Sequence, residues 1–137
     1  MAKDFFDEHV TKDFKWGEFF VTGQNQARLR ADFLALPDDK RNELIRNLTT
    51  LANRLQVIRD KLGPITITSG YRDPRVNAAV GGKPKSYHLR GMAADITVAN
   101  MTPKQVQLAL ADWQGGMGLA KTFTHLDTRA VKCRFKY

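Results

Sequence analysis

Ser86-Tyr87-His88-Leu89-Arg90-Gly91-Met92-Ala93-Ala94-Asp95 takes a histidine out of a loop, frees the turn with a glycine and delivers an aspartate onto the segment Met92 to Val98, which reads as a strand. Imidazole and carboxylate are both good zinc ligands. A third ligand stands downstream in Phe123-Thr124-His125-Leu126-Asp127, where the period of two in a strand puts Phe123, His125 and Asp127 on one face. Two histidines and a carboxylate, His88, Asp95 and His125, leave one tetrahedral position open, as catalytic zinc requires. Singly each residue has an ordinary explanation: a histidine is commonly a surface or satisfied core residue, and an aspartate a hydrogen-bond partner. The combination points to metal.

Working outward, Ile65-Thr66-Ile67-Thr68 alternates apolar with polar β-branched residues as a half-buried strand does, and Gly70 ends it. Between Gly70 and Ser86 lies a long connection in which Asp73-Pro74 caps a helical turn and Gly81-Gly82 breaks it. Upstream, Pro37-Asp38-Asp39 opens the longest helix, whose Leu44, Leu48, Leu51, Leu55, Ile58 and Leu62 form one apolar core stripe ending at Gly63-Pro64. Residues 1–36 read as an amino-terminal arm and a short helix: Asp4 to Thr22 mixes aromatic and charged residues without a sustained period, and a helix follows the Gly23 to Gln26 loop through Ala35. Downstream, Thr102-Pro103 starts a helix carrying Val106, Leu110 and Trp113, Gly115-Gly116 stops it, and strands follow around Met117 to Leu119 and Phe123 to Thr128. Strands and helices are partly segregated. The expected fold is therefore α+β: a single domain over residues 1–137, a small antiparallel sheet with helices packed against it, and a zinc cleft at the sheet built from motifs within 66–129.

Lysine and arginine number 22 against 14 aspartate and glutamate, a net +8 that favours polyanions such as the bacterial envelope. The cations are scattered and no groove-reading helix or stacking motif accompanies them, so no nucleic-acid partner is expected. The one cysteine, Cys133, rules out an internal disulfide and a thiolate zinc site, and with no adjoining histidine it reads as inert. The charged stretch from Met1 to Val10 does not fit a secretory signal, and no apolar run is long enough to cross a bilayer. A monomer made in the bacterial cytoplasm, without stable membrane insertion, is expected. Tyr71, Tyr87 and Trp113 could line a cleft but read first as core or rim packing.

The motif resembles that of the LAS metallopeptidases, which include lysostaphin-type enzymes, D-Ala-D-Ala peptidases and the hedgehog amino domain and share S-x-H-x-x-G-x-A-x-D. Ser86, His88, Gly91, Ala93 and Asp95 fit it without a gap; Ser69-Gly70-Tyr71-Arg72 is similar to the family's S-G-Y-R, and His125 follows in order. The nearest branch looks like the D-Ala-D-Ala carboxypeptidases and small phage lysins. The resemblance implies a Zn2+ cofactor, a hedgehog/D-Ala-D-Ala peptidase-like fold and hydrolysis of peptidoglycan peptides, as a D-Ala-D-Ala carboxypeptidase or an L-Ala-D-Glu or cross-link endopeptidase. It implies an endolysin that reaches the wall after lysis or with a virion.

Arg72, just past a strand, can bind a peptide carboxylate or stabilise an oxyanion, or else pair with Asp73 or another acid. Ser86 is expected to donate a hydrogen bond to substrate or ligand, or to form the turn. One departure stands out. Relatives carry an acid or histidine two or three residues before the last zinc histidine, where this chain has Phe123 and Thr122. Asp127 is then either the general base or the partner that orients His125, with Asp73 and His9 as further acceptors. The departure also keeps open a rival role, a zinc-stabilised binding module without hydrolysis.

Overall fold

Acidic Asp38 and Asp39 at one end and basic Arg59 and Lys61 at the other suit the dipole of α2 (Asp38–Leu62), which follows α1 (Gln26–Leu34). Gly63, at φ 100, turns the chain out of that helix in a conformation that favours glycine. The computed structural model describes residues 4–137, so the first three residues of the predicted arm lie outside it. After α2 come β1 (Ile65–Ser69), α3 (Pro74–Ala79), β2 (Ala93–Val98), α4 (Pro103–Ala109), β3 (Gly116–Leu119), β4 (Thr124–Asp127) and β5 (Cys133–Lys136).

The sheet runs β1-β2-β4-β3-β5. Its first three pairings are antiparallel, as the sequence predicts, and the fourth differs: β5 lies parallel to β3. Cys133–Lys136 is a strand that periodicity does not announce, since its cations and short length resemble a tail. α4 also stops at Ala109, leaving Trp113 in the following turn, buried and donating from its indole to the Asp127 carbonyl at 3.0 Å.

Ile67, Ile96, Met117 and Leu126 join the leucines of α2 and Val106 of α4 in one apolar core. The arm adds Phe6, Phe14, Trp16, Phe19 and Phe20 to the same core through two short 3-10 turns, which explains its lack of helical or strand period. It also touches the end of β1. The Phe19 carbonyl accepts the Tyr71 N–H at 2.8 Å, and a Cβ on Gly70 would collide with that carbonyl, so glycine is what lets the arm cross there.

Register places the chemistry. A bulge between Ile67 and Ser69 brings Ser69 opposite Asp95. Asp95 in turn pairs with His125, His125 with Gly118, and Gly118 with Phe135, a single row across five strands.

Candidate metal centre

His88 is held by its own turn. Ser86 caps the short 3-10 turn Tyr87–Arg90, its Oγ accepting the His88 N–H at 3.2 Å, and Gly91 at φ 68 reverses the chain into β2. A side chain on Gly91 would be strained by that φ and would press on Leu44 and Leu48 of α2. Ser86 thus forms the turn, one of the two roles read for it, and its hydroxyl proton is not used in that bond.

The hydrogen bonds decide which ring nitrogens face the centre. The Gly70 carbonyl can only accept, so His88 donates from Nδ1 at 2.7 Å and keeps Nε2 bare. His125 donates from Nε2 to the Asp127 carboxylate at 2.8 Å and keeps Nδ1 bare. Both bare nitrogens face the same oxygen, Asp95 Oδ1, at 3.3 and 3.0 Å. His88 Nε2 is buried without a hydrogen-bond partner among the described residues. Three acceptors turned on one another repel unless a cation or an extra proton sits among them. A tetrahedral ion with bonds of about 2.1 Å sets its ligand atoms about 3.4 Å apart, close to the separations from Oδ1. The donor set, two imidazoles and a carboxylate within 4.8 Å of one another, fits zinc.

The titration behaviour has the same origin. Burial opposes ionisation of Asp95, but a proton taken up by the facing rings of His125 and His88 outweighs that and holds its pKa at about 2. Burial likewise disfavours a charged His125, yet the bonds to Asp127 and Asp95 raise its pKa. Proton and metal compete for the same lone pair.

Asp127 is fully buried and fully engaged. Oδ1 accepts from Gly116 N at 3.0 Å and Arg129 Nε at 2.8 Å, while Oδ2 accepts from His125 Nε2 and from Arg129 Nη2 at 2.7 Å. Desolvation is outweighed by the Arg129 and His125 bonds, which hold the carboxyl well below the usual carboxylate range. Arg129 itself lies over the Tyr87 ring at 4.5 Å and the Phe135 ring at 5.6 Å.

Arg72 lies at the other side of Asp95. Its Nη2 is 3.5 Å from Asp95 Oδ2, Nε donates to Ser69 Oγ at 3.2 Å and Nη1 to Asn77 Oδ1 at 3.3 Å. The acid it pairs with is therefore a member of the trio, and its neighbour Asp73 instead caps α3 through the Val76 N–H. His9 sits in the arm with its ring on the Thr11 carbonyl. Among the described residues, no hydrogen bond joins Asp73 or His9 to the trio.

Sequence reasoning missed Arg129, Asn77, Phe135 and Tyr137. A cation two residues after Asp127 was a visible cue for Arg129. Asn77, 4% exposed, offered none, because its partners Arg72 and the Lys83 carbonyl meet it only in the folded loop.

A sequence model of the family described as Peptidase M15 matches residues 24–127, more than half of the chain. The matched span closes at Asp127, so Arg129 and β5 lie beyond it. No curated protein matches the chain.

Proposed function

The chain belongs to the peptidase M15 family, and from that premise we propose that it is a zinc-dependent hydrolase of peptide bonds in bacterial peptidoglycan. The reading extends to a lysin-type enzyme, either a D-Ala-D-Ala carboxypeptidase or an endopeptidase of L-Ala-D-Glu or cross-link bonds. The observation that carries it is the convergence of His88 Nε2, His125 Nδ1 and Asp95 Oδ1, three buried atoms that one bound cation would satisfy together. The net charge of +8 supports action on the anionic wall.

Zinc held by these residues supplies Lewis-acid polarisation of the scissile carbonyl and a nucleophile at neutral pH. The chain supplies the rest. The Gly70 carbonyl and Asp127 fix the tautomers of His88 and His125. Arg72, gripped by Ser69 and Asn77, presents its guanidinium beside Asp95 to a substrate carboxylate or to the charge that develops on the amide oxygen. Asp127, with its oxygens already taken by His125, Arg129 and Gly116, orients His125 and is not the base.

Turnover of purified peptidoglycan, followed by mass spectrometry of the released peptides, tests this reading. Products are expected with zinc, lost on chelation and recovered when zinc is restored. Chelator-sensitive binding to the wall with no product would instead assign the zinc-stabilised binding module.

A further inference from the structure

We propose that Tyr137 is a substrate-contacting residue of the metal centre, its phenol hydroxyl donating a hydrogen bond to the tetrahedral oxygen of the amide under attack. The inference rests on the hydrolytic reading above and adds to it a residue outside the matched family span.

The argument begins with Gly118. It pairs with His125 on one side and Phe135 on the other, in the row that carries Asp95. A Cβ on Gly118 would fall 2.5 Å from Phe135 Cε2 and 2.8 Å from Tyr137 Cε2. Both rings therefore lie over the bare glycine backbone. Cε2 is bonded to the carbon that bears the hydroxyl, so the hydroxyl half of Tyr137 is folded back over the row.

The alternation of β5 puts Phe135 and Tyr137 on the same face. Their rings lie 5.3 and 6.4 Å from the His125 ring, and Phe123 meets Tyr137 edge-on at 5.1 Å. These ring contacts place Tyr137 against His125, and no hydrogen bond to a described residue occupies its hydroxyl. Desolvation of the hydroxyl and the Asp95 carboxylate push its pKa up to about 12, although the residue as a whole is 68% exposed and open to a ligand. A hydroxyl donor without a partner, on a ring packed against His125, has the chemistry of an oxyanion contact. No proton need leave it.

Zinc-loaded parent, Tyr137→Phe and Tyr137→Ala should be compared in turnover of a peptidoglycan stem peptide and in affinity for a phosphinate dipeptide, a stable tetrahedral anion. Tyr137→Phe is expected to keep its fold and zinc content. Its kcat should fall about 10- to 100-fold, less than the ~10²–10³ of an enclosed oxyanion donor, with KM near the parent and weaker phosphinate binding. Parental kcat and phosphinate affinity in Tyr137→Phe would overturn the proposal, even if Tyr137→Ala were impaired, because only the ring would then matter. A parent that turns nothing over but binds phosphinate more tightly than Tyr137→Phe would end the hydrolytic reading and keep this contact. A parent that neither hydrolyses nor binds phosphinate would overturn both.

Discussion

Nε2 of His125 lies 2.8 Å from Oδ2 of Asp127, a bond along one strand face that determines which imidazole nitrogen is left for a metal. Asparagine at 127 could turn its amide N–H toward the ring, which would make Nε2 the acceptor and place the proton on Nδ1, the nitrogen needed as ligand. Asp127→Asn should therefore weaken zinc affinity by about 10–100-fold, and saturating zinc should restore much of the turnover. Competition against a chromophoric chelator and zinc-saturated kinetics on one preparation measure both. Normal affinity with depressed zinc-saturated turnover would return proton transfer to Asp127.

Metal removal should lower thermal stability. The buried Nε2 of His88 has no hydrogen-bond partner among the described residues, and the folded state alone brings the three candidate ligands together, so zinc binding would add to the folding free energy. At a free zinc concentration of about 1,000 times Kd the gain is roughly 4 kcal/mol. Calorimetry with and without a chelator should show a clear rise in Tm with zinc, absent in His88→Ala. An unchanged Tm in the parent would count against a resident metal.

Arg72 uses three separate nitrogens to reach Ser69, Asn77 and Asp95. Lysine keeps the charge but cannot reproduce that fork, so Arg72→Lys loses the aim of the cation as well as its donors. A lost charged hydrogen bond of roughly 1.5–3 kcal/mol corresponds to about a 10- to 100-fold fall in turnover. Zinc content should stay at the parental level, since Arg72 is not a ligand. Equal turnover of parent and variant would remove Arg72 from the substrate site.

The convergence of His88, Asp95 and His125 was legible because two of them share one short motif and the third sits on a strand whose period fixes its face. The long helix was legible from its leucines, and the observed α2 begins one residue after Pro37 and ends at Leu62, where the apolar stripe ends. What local pattern could not supply was long-range partnership. The carboxylate of Asp127 looks free in the sequence and is saturated in the fold by Arg129 and Gly116. β5 escaped notice because Cys-Arg-Phe-Lys becomes a strand only through its parallel pairing with β3, and Phe135 and Tyr137 reach His125 only across the bare backbone of Gly118. The aromatic arm had no period to read because it buries its rings through turns.

Tyr71 stands next to Arg72 but faces the arm: it is 4% exposed, with the Phe20 and Phe33 rings 5.5 and 5.8 Å away. Burial, reinforced by Asp73 and Asp32, pushes its pKa up to about 12 from the ordinary 10.0. Between those values the folded protein holds a proton that the unfolded chain releases, so stability should decline with rising pH in that window. Its contribution is fully present below pH 10 and lost as pH climbs through the folded value. Urea unfolding midpoints across the alkaline range measure this. Tyr137, also raised to about 12, titrates in the same window, so Tyr71→Phe should flatten the decline and the double variant with Tyr137→Phe should flatten it further. A Tyr71→Phe variant as alkali-sensitive as the parent would mean that Tyr71 ionises in the folded protein as easily as in the unfolded chain, with the arm opening to release it.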